Sequence, residues 1–127
     1  MSVKVVDASA IACVLLEEPS AGAIERRIEG EFLLAPSLLP FEIANVCIIH
    51  ARRFPERRNT FRQALDTFHR LAIALRDVNV EGVFDLAERT RLTAYDASYL
   101  WLALLLDAEL VTLDNQLNRA YLALTRR

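Results

Sequence analysis

Short apolar runs alternate along this chain with longer stretches of helical spacing, and that alternation is the tightest constraint on its fold. Residues 3–6, Val-Lys-Val-Val, are β-branched and read as a buried strand. Residues 32–35 and 110–113 read the same way, and residues 77–80 as a weaker strand. Helices are expected over residues 8–18, stopped by Pro19, and over residues 21–29, capped by Ser20 and ended by Gly30. A third runs from Pro36-Ser37 to about Arg53, with Pro40 in its first turn, where a proline removes no needed hydrogen bond. Phe54-Pro55 breaks the pattern, and Pro55 opens a helix ending near Leu75. Its apolar stripe is Phe61, Leu65, Phe68, Leu71 and Ala72. A helix over residues 81–90 carries Val83, Phe84 and Ala87 inward, residues 91–94 connect, residues 95–106 form a strongly apolar helix, and residues 116–124 form the last. Strands alternating with helices predict a parallel sheet covered on both faces. The fold class is α/β, in a single domain over residues 1–127.

The bulk numbers agree with a packed domain. Hydrophobic residues make up 54% and charged residues 25%, and only 3 glycines and 4 prolines are present. Net charge is −2, so no overall basic field announces a nucleic-acid partner. Setting aside four acids discussed below, 13 acids remain against 15 basic residues, and Lys4 is the only lysine. The one dense basic cluster, Arg52, Arg53, Arg57 and Arg58, reads as a solvated turn. Cys13 and Cys47 fall within apolar helical segments and read as buried free thiols, with no metal-ligand spacing. The first apolar run is interrupted by Lys4 and Asp7, unlike a signal peptide, and no apolar stretch is long enough to span a bilayer. A cytoplasmic protein without a membrane segment is expected.

Four carboxylates carry the chemistry. Asp7 and Asp114 each follow a strand, at the edge where open α/β sheets bind ligands. Glu42 lies near the start of the third helix and Asp96 opens the apolar one. Clustered carboxylates raise one another's pKa unless a cation holds them together, and oxygen-only ligands favour Mg²⁺ or Mn²⁺. This set points to metal-dependent phosphoryl transfer. Asp7 and Asp96 are the first candidates for direct ligands; Asp114 shares that ion or binds a second; Glu42 binds metal or accepts a proton from the attacking water. Ser9 and Thr112, two residues from site aspartates, can orient a carboxylate. Asn45 sits one helical turn after Glu42, placed to contact substrate or steady the cluster. Taken singly, Asp7, Asp96 and Asp114 each read as a helix N-cap. Tyr99 and Trp101 read as core or interface, and neither histidine fits a general base.

The same residues carry a resemblance. Residues 5–10, Val-Val-Asp-Ala-Ser-Ala, leading to Glu18-Pro19, resemble the opening of PIN-domain nucleases. Glu42-Ile43-Ala44-Asn45-Val46 is similar to that family's second motif, Tyr95-Asp96-Ala97-Ser98-Tyr99-Leu100 to its third, and residues 110–117 to its fourth. Together they span nearly the whole chain, and its length and helix content look most like the VapC-type toxins of toxin–antitoxin pairs. The resemblance implies a PIN-like three-layer α/β/α sandwich with a short, mostly parallel central sheet. It implies an endoribonuclease using Mg²⁺ or Mn²⁺ at Asp7, Glu42, Asp96 and Asp114, an RNA substrate, a cognate antitoxin docked on apolar grooves, and a homodimer. One departure stands out: Asp107-Ala108-Glu109 precedes the last strand, where many relatives have a small residue or glycine.

Other functions fit less well. A receiver domain needs a lysine late in the chain, a P-loop needs a Gly-rich loop ending in Gly-Lys, and a haloacid-dehalogenase phosphatase wants Asp-x-Asp where this chain has Asp7-Ala8-Ser9. The alternative from another class is a non-catalytic PIN-like scaffold that binds RNA or protein.

Overall fold

The computed structural model describes residues 2–126. Its strands are β1 (Val3–Val6), β2 (Phe32–Pro36), β3 (Ala74–Arg76) and β4 (Glu109–Val111). The helices are α1 (Ala8–Leu15), α2 (Ala21–Ile28), α3 (Leu39–Arg53), α4 (Arg58–Arg70), α5 (Val80–Thr90), α6 (Ala94–Leu106) and α7 (Asn115–Thr125), with a single 3₁₀ turn at Pro55–Arg57. The strands form one parallel sheet in the order β3-β2-β1-β4. Helices α1 to α4 pack on one another, as do α5 to α7, and α6 lies against β1, β2 and β4. The result is the expected three-layer α/β/α sandwich. Its centre is dry: Val5, Val6, Leu110 and Val111 on the middle strands are buried, with Ile11, Leu39, Ile43, Leu100 and Leu102 closing on them from the helices.

Strand order fixes where a site can form. From β1 the chain moves to β2 and then β3 on one side, then crosses to β4 on the other side of β1. The connections therefore diverge around the carboxyl end of β1, and a crevice opens at such a switch point. Val6 pairs with Val111, so Asp7 and Thr112 emerge side by side there.

Several boundaries differ from the expectation. Helix α1 stops at Leu15 rather than residue 18, because Glu17 takes a left-handed conformation with φ 53°. Ser20 precedes α2 but makes no side-chain capping bond. Turn residues 37 and 38 precede α3, which begins at Leu39 with proline in its first turn. The helix expected to reach Leu75 ends at Arg70; Ala72 turns left-handed, and β3 forms at Ala74–Arg76 instead of at residues 77–80. Leu71 and Ala72 prolong the helical spacing, so the pattern hides a three-residue edge strand. On α5, Val83 is inward as expected, but Phe84 is 64% exposed and Leu86 takes the inward place. The last strand ends at Val111, because Thr112 leaves the ladder. Before it, Asp107 ends α6 in the left-handed region with φ 50°, a conformation aspartate tolerates. Both cysteines are free and buried. Among the described residues, no helix is long and apolar enough to cross a membrane.

Candidate active site

Each of the four acids sits at the start of a helix. Asp7 caps α1, accepting from the Ala10 amide at 3.0 Å. Asp114 caps α7, its Oδ1 accepting from the Leu117 amide at 2.9 Å. Glu42 and Asp96 occupy the first turns of α3 and α6. Asp96 is not a cap: Thr93 holds that place, its hydroxyl oxygen accepting from the Asp96 amide at 3.1 Å. For Asp7 and Asp114 the capping role is real and coexists with a place in the cluster. Four helix N-termini thus direct their partial positive charge toward four carboxylates.

Asp7 is the anchor. It is 3% exposed, and both its oxygens are bonded. Thr112 Oγ1 donates to Oδ2 at 2.6 Å, and Ser9 Oγ lies 2.8 Å from Oδ1 and 3.0 Å from Oδ2. The two hydroxyl residues also hold the strand-to-helix turn after β4. Ser9 Oγ accepts from the Leu113 amide at 2.9 Å, and Thr112 Oγ1 accepts from the Asp114 amide at 3.0 Å. One small network therefore fixes Asp7 and Asp114 relative to each other across 107 residues of sequence.

Glu42 is held from the opposite helix layer. Tyr99, 1% exposed on α6, donates its hydroxyl to Glu42 Oε1 at 2.6 Å. Sequence reasoning placed Tyr99 in the core and missed this contact. The available signal was that a buried tyrosine hydroxyl needs a partner, and Tyr99 lies one turn after Asp96. Asn45 is exposed and hydrogen-bonds none of the four acids. His50 turns Nδ1 to the Val46 carbonyl at 2.9 Å and stacks near Phe61, and His69 lies beside Phe68, so both are occupied elsewhere.

The carboxylates feel one another. Burial raises the Asp7 pKa, bonds from Thr112, Ala10 and Ser9 offset part of the rise, and Asp114 adds to it. Burial raises that of Glu42, Tyr99 lowers it, and the charges of Asp96 and Asp7 raise it again. Asp96 is pushed up by burial and then by Asp114 and Asp7. The structure thus brings all four predicted acids into one electrostatic neighbourhood. Among the described residues, however, no three His, Cys, Asp or Glu side chains close on one point as ligands of an ion. Their bonds explain this: Asp7 faces its hydroxyl donors, Asp114 Oδ1 faces its helix and Glu42 Oε1 faces Tyr99. The donor set still fits a hard dication. It is all oxygen, its negative charges repel, and Asp96 accepts no side-chain hydrogen bond among the described residues.

Comparison with known proteins accords with this geometry. The PIN domain family matches residues 4–122. Ribonuclease VapC3 of Pyrobaculum aerophilum is 34% identical over 125 residues, covering 94% of this chain and 95% of that protein. Ribonuclease VapC9 of Mycobacterium tuberculosis is 39% identical over 116 residues, covering 90% of this chain and 87% of that one. The crystal structure of PAE2754 from Pyrobaculum aerophilum superposes with a TM-score of 0.69 at 27% identity, covering 94% of this chain and 87% of that one. A family match along nearly the whole length and relatives at 34% and 39% identity over most of the chain agree: the chain belongs to the PIN domain family.

Proposed function

We propose that this protein is a metal-dependent endoribonuclease and the toxin of a toxin–antitoxin pair. The observation that carries the reading is that Asp7, Glu42, Asp96 and Asp114 share one electrostatic neighbourhood by the sheet's switch point, in a chain whose relatives are named VapC ribonucleases. Mg²⁺ or Mn²⁺ would be held by Asp7, Asp96 and Asp114, with Glu42 beside them, and would lower the pKa of water and neutralise charge on the phosphate. The chain's own residues supply the positioning. Ser9 and Thr112 fix the Asp7 carboxylate plane, so its geometry is set before substrate arrives. Tyr99 holds one oxygen of Glu42 and leaves the other to accept a proton from the attacking water. Asp96, whose carboxylate bonds no described side chain, is the one freest to turn toward a cation.

The antitoxin surface in this reading is the apolar groove between α3 and α4, lined by Ala44, Cys47, Ile48, Phe61 and Leu65 with Arg58 and Arg62 at its rim. The working form is a homodimer in the cytoplasm, where RNA and antitoxin meet it. The test is cleavage of total cellular RNA by purified protein, in Mg²⁺ or Mn²⁺ against EDTA, beside Asp7→Asn. Metal-dependent cuts missing from the variant uphold the proposal. Correctly folded, antitoxin-free protein that leaves RNA intact overturns it and favours a binding scaffold.

A further inference from the structure

The acidic cluster accounts for cutting a phosphodiester but not for gripping a polyanion, since four carboxylates repel RNA. The same sheet edge carries groups of the opposite kind. Helix α3 starts two residues after β2 ends, which places Phe41 over the carboxyl end of β2, directly before Glu42. Phe41 is 78% exposed, the largest exposure among the large hydrophobic side chains described. Its place on the helix explains why: Leu39 and Ile43, two residues to either side, point into the core. Among the described residues, the Phe41 side chain joins neither the core nor a ring contact. Asn45, one turn further on the same flank, is exposed as well.

On the other side of β2, Arg76 ends β3. It pairs with Pro36, is exposed, and forms no ion pair with any described residue. Strand spacing puts the end of β3 roughly 10 Å from the end of β1, where Asp7 emerges. Continued register sets Arg76 level with Pro36 and Asp7 along this edge, and α3, carrying Phe41 and Asn45, follows Pro36. The dense arginine cluster does not compete for this role. Arg53 lies at the far end of α3, about 16 Å from Glu42 along the helix, and Arg53 and Arg57 cover the rings of Phe54 and Phe61.

We infer that Phe41 and Arg76 form a subsite for one unpaired nucleotide next to the cleaved bond. Phe41 stacks the base, Asn45 meets the base edge, and Arg76 holds a neighbouring phosphate. The inference rests on the ribonuclease reading: a base stacked on Phe41 has left any duplex, so the subsite takes an unpaired nucleotide. Arginine suits the phosphate because its planar fork matches the oxygens.

Two readouts test it. One is fluorescence anisotropy of a labelled, random-sequence single-stranded RNA pool in Mg²⁺, on an Asp96→Asn background that silences cutting. The other is KM and kcat for cleavage by otherwise wild-type protein. Phe41→Leu, which keeps the bulk and loses the ring face, is expected to weaken binding on the order of tenfold and to raise KM with kcat little changed. Phe41→Tyr is expected to bind as the parent does. Arg76→Ala is expected to flatten the dependence of log affinity on log salt by about 0.7. The same RNA annealed to its complement is expected to bind far more weakly. Unchanged binding and KM in Phe41→Leu, with wild-type cleavage intact, would overturn this subsite and leave the nuclease standing. Equal losses in Phe41→Leu and Phe41→Tyr would also overturn it. Wild-type protein that neither binds nor cuts RNA would remove both.

Discussion

Tyr99→Phe deletes one oxygen from a fully packed side chain and so isolates a single bond in the site. That bond is the 2.6 Å donation from the Tyr99 hydroxyl to Glu42 Oε1. The hydroxyl stays a donor at every accessible pH, because burial, then the bond to Glu42 and its charge, push its pKa far up. A hydrogen bond to a charged group contributes about 1.5–3 kcal/mol. Glu42 is only half-buried, so water replaces part of the loss, and the expected cost is about 1–2 kcal/mol. The sign with pH follows from the carboxylate. Its folded pKa is raised, chiefly by burial, and the tyrosine bond pulls it partly back. Without that bond the folded pKa rises further above its unfolded value, so ionised Glu42 costs more in the variant. The deficit is therefore full above both folded pKa values, where Glu42 is ionised in both proteins. It shrinks as pH falls and both protonate. Urea unfolding in EDTA at several pH values reads this directly, with Glu42→Ala as the second arm of a cycle in which the Tyr99→Phe cost largely vanishes. A deficit independent of pH, or undiminished by Glu42→Ala, would refute the argument.

Three further outcomes follow from other contacts. Asp96→Asn removes a carboxylate whose folded pKa is raised by burial and by Asp114 and Asp7, so in EDTA it unfolds at higher temperature than wild type, with the gap closing as pH falls; Mg²⁺ then stabilises wild type more than the variant, and equal shifts would count against Asp96 as a ligand. Thr112→Val removes the donor to Asp7 and the acceptor of the Asp114 amide, with an expected loss of about 2–4 kcal/mol in urea unfolding; a loss below the error of the method would show that the network does not hold the site. Gly82→Ala drives a methyl to within 2.6 Å of the Trp101 indole nitrogen, so it costs about 1–3 kcal/mol and shifts the emission of the chain's only tryptophan, and an unmoved spectrum would contradict the packing of α5 on α6.

Three of the four candidate acids sit at boundaries that sequence marks well. Asp7 closes a β-branched run, Asp96 opens an apolar helix and Asp114 follows an apolar strand. Alternation of strand and helix was enough for the layer order. What sequence hid depends on contacts across the fold. Edge strand β3 has three residues and no alternation, so the helical spacing of Leu71 and Ala72 masked it. Tyr99 looked like one more apolar position of α6 until Glu42 appeared opposite it, 57 residues away in sequence. Ser9 and Thr112 were recognised as candidates, yet their double duty, binding Asp7 while holding the turn before α7, appears only when β1 and β4 pair. Phe84 was placed inward by spacing alone, and the actual phase of α5 is set by Val83 and Leu86.

The central claim is that Asp7, Glu42, Asp96 and Asp114 act as one metal-dependent RNA-cleaving centre. It is tested most directly by single-turnover cleavage of a mapped RNA site in Mg²⁺ by wild type and by Asp7→Asn, Glu42→Gln, Asp96→Asn and Asp114→Asn, each checked for folding. Every variant is expected to slow by roughly a hundredfold or more, and EDTA to bring wild type down to the same floor. Retention of near wild-type cleavage by any of the four, or cleavage undiminished by EDTA, would contradict it.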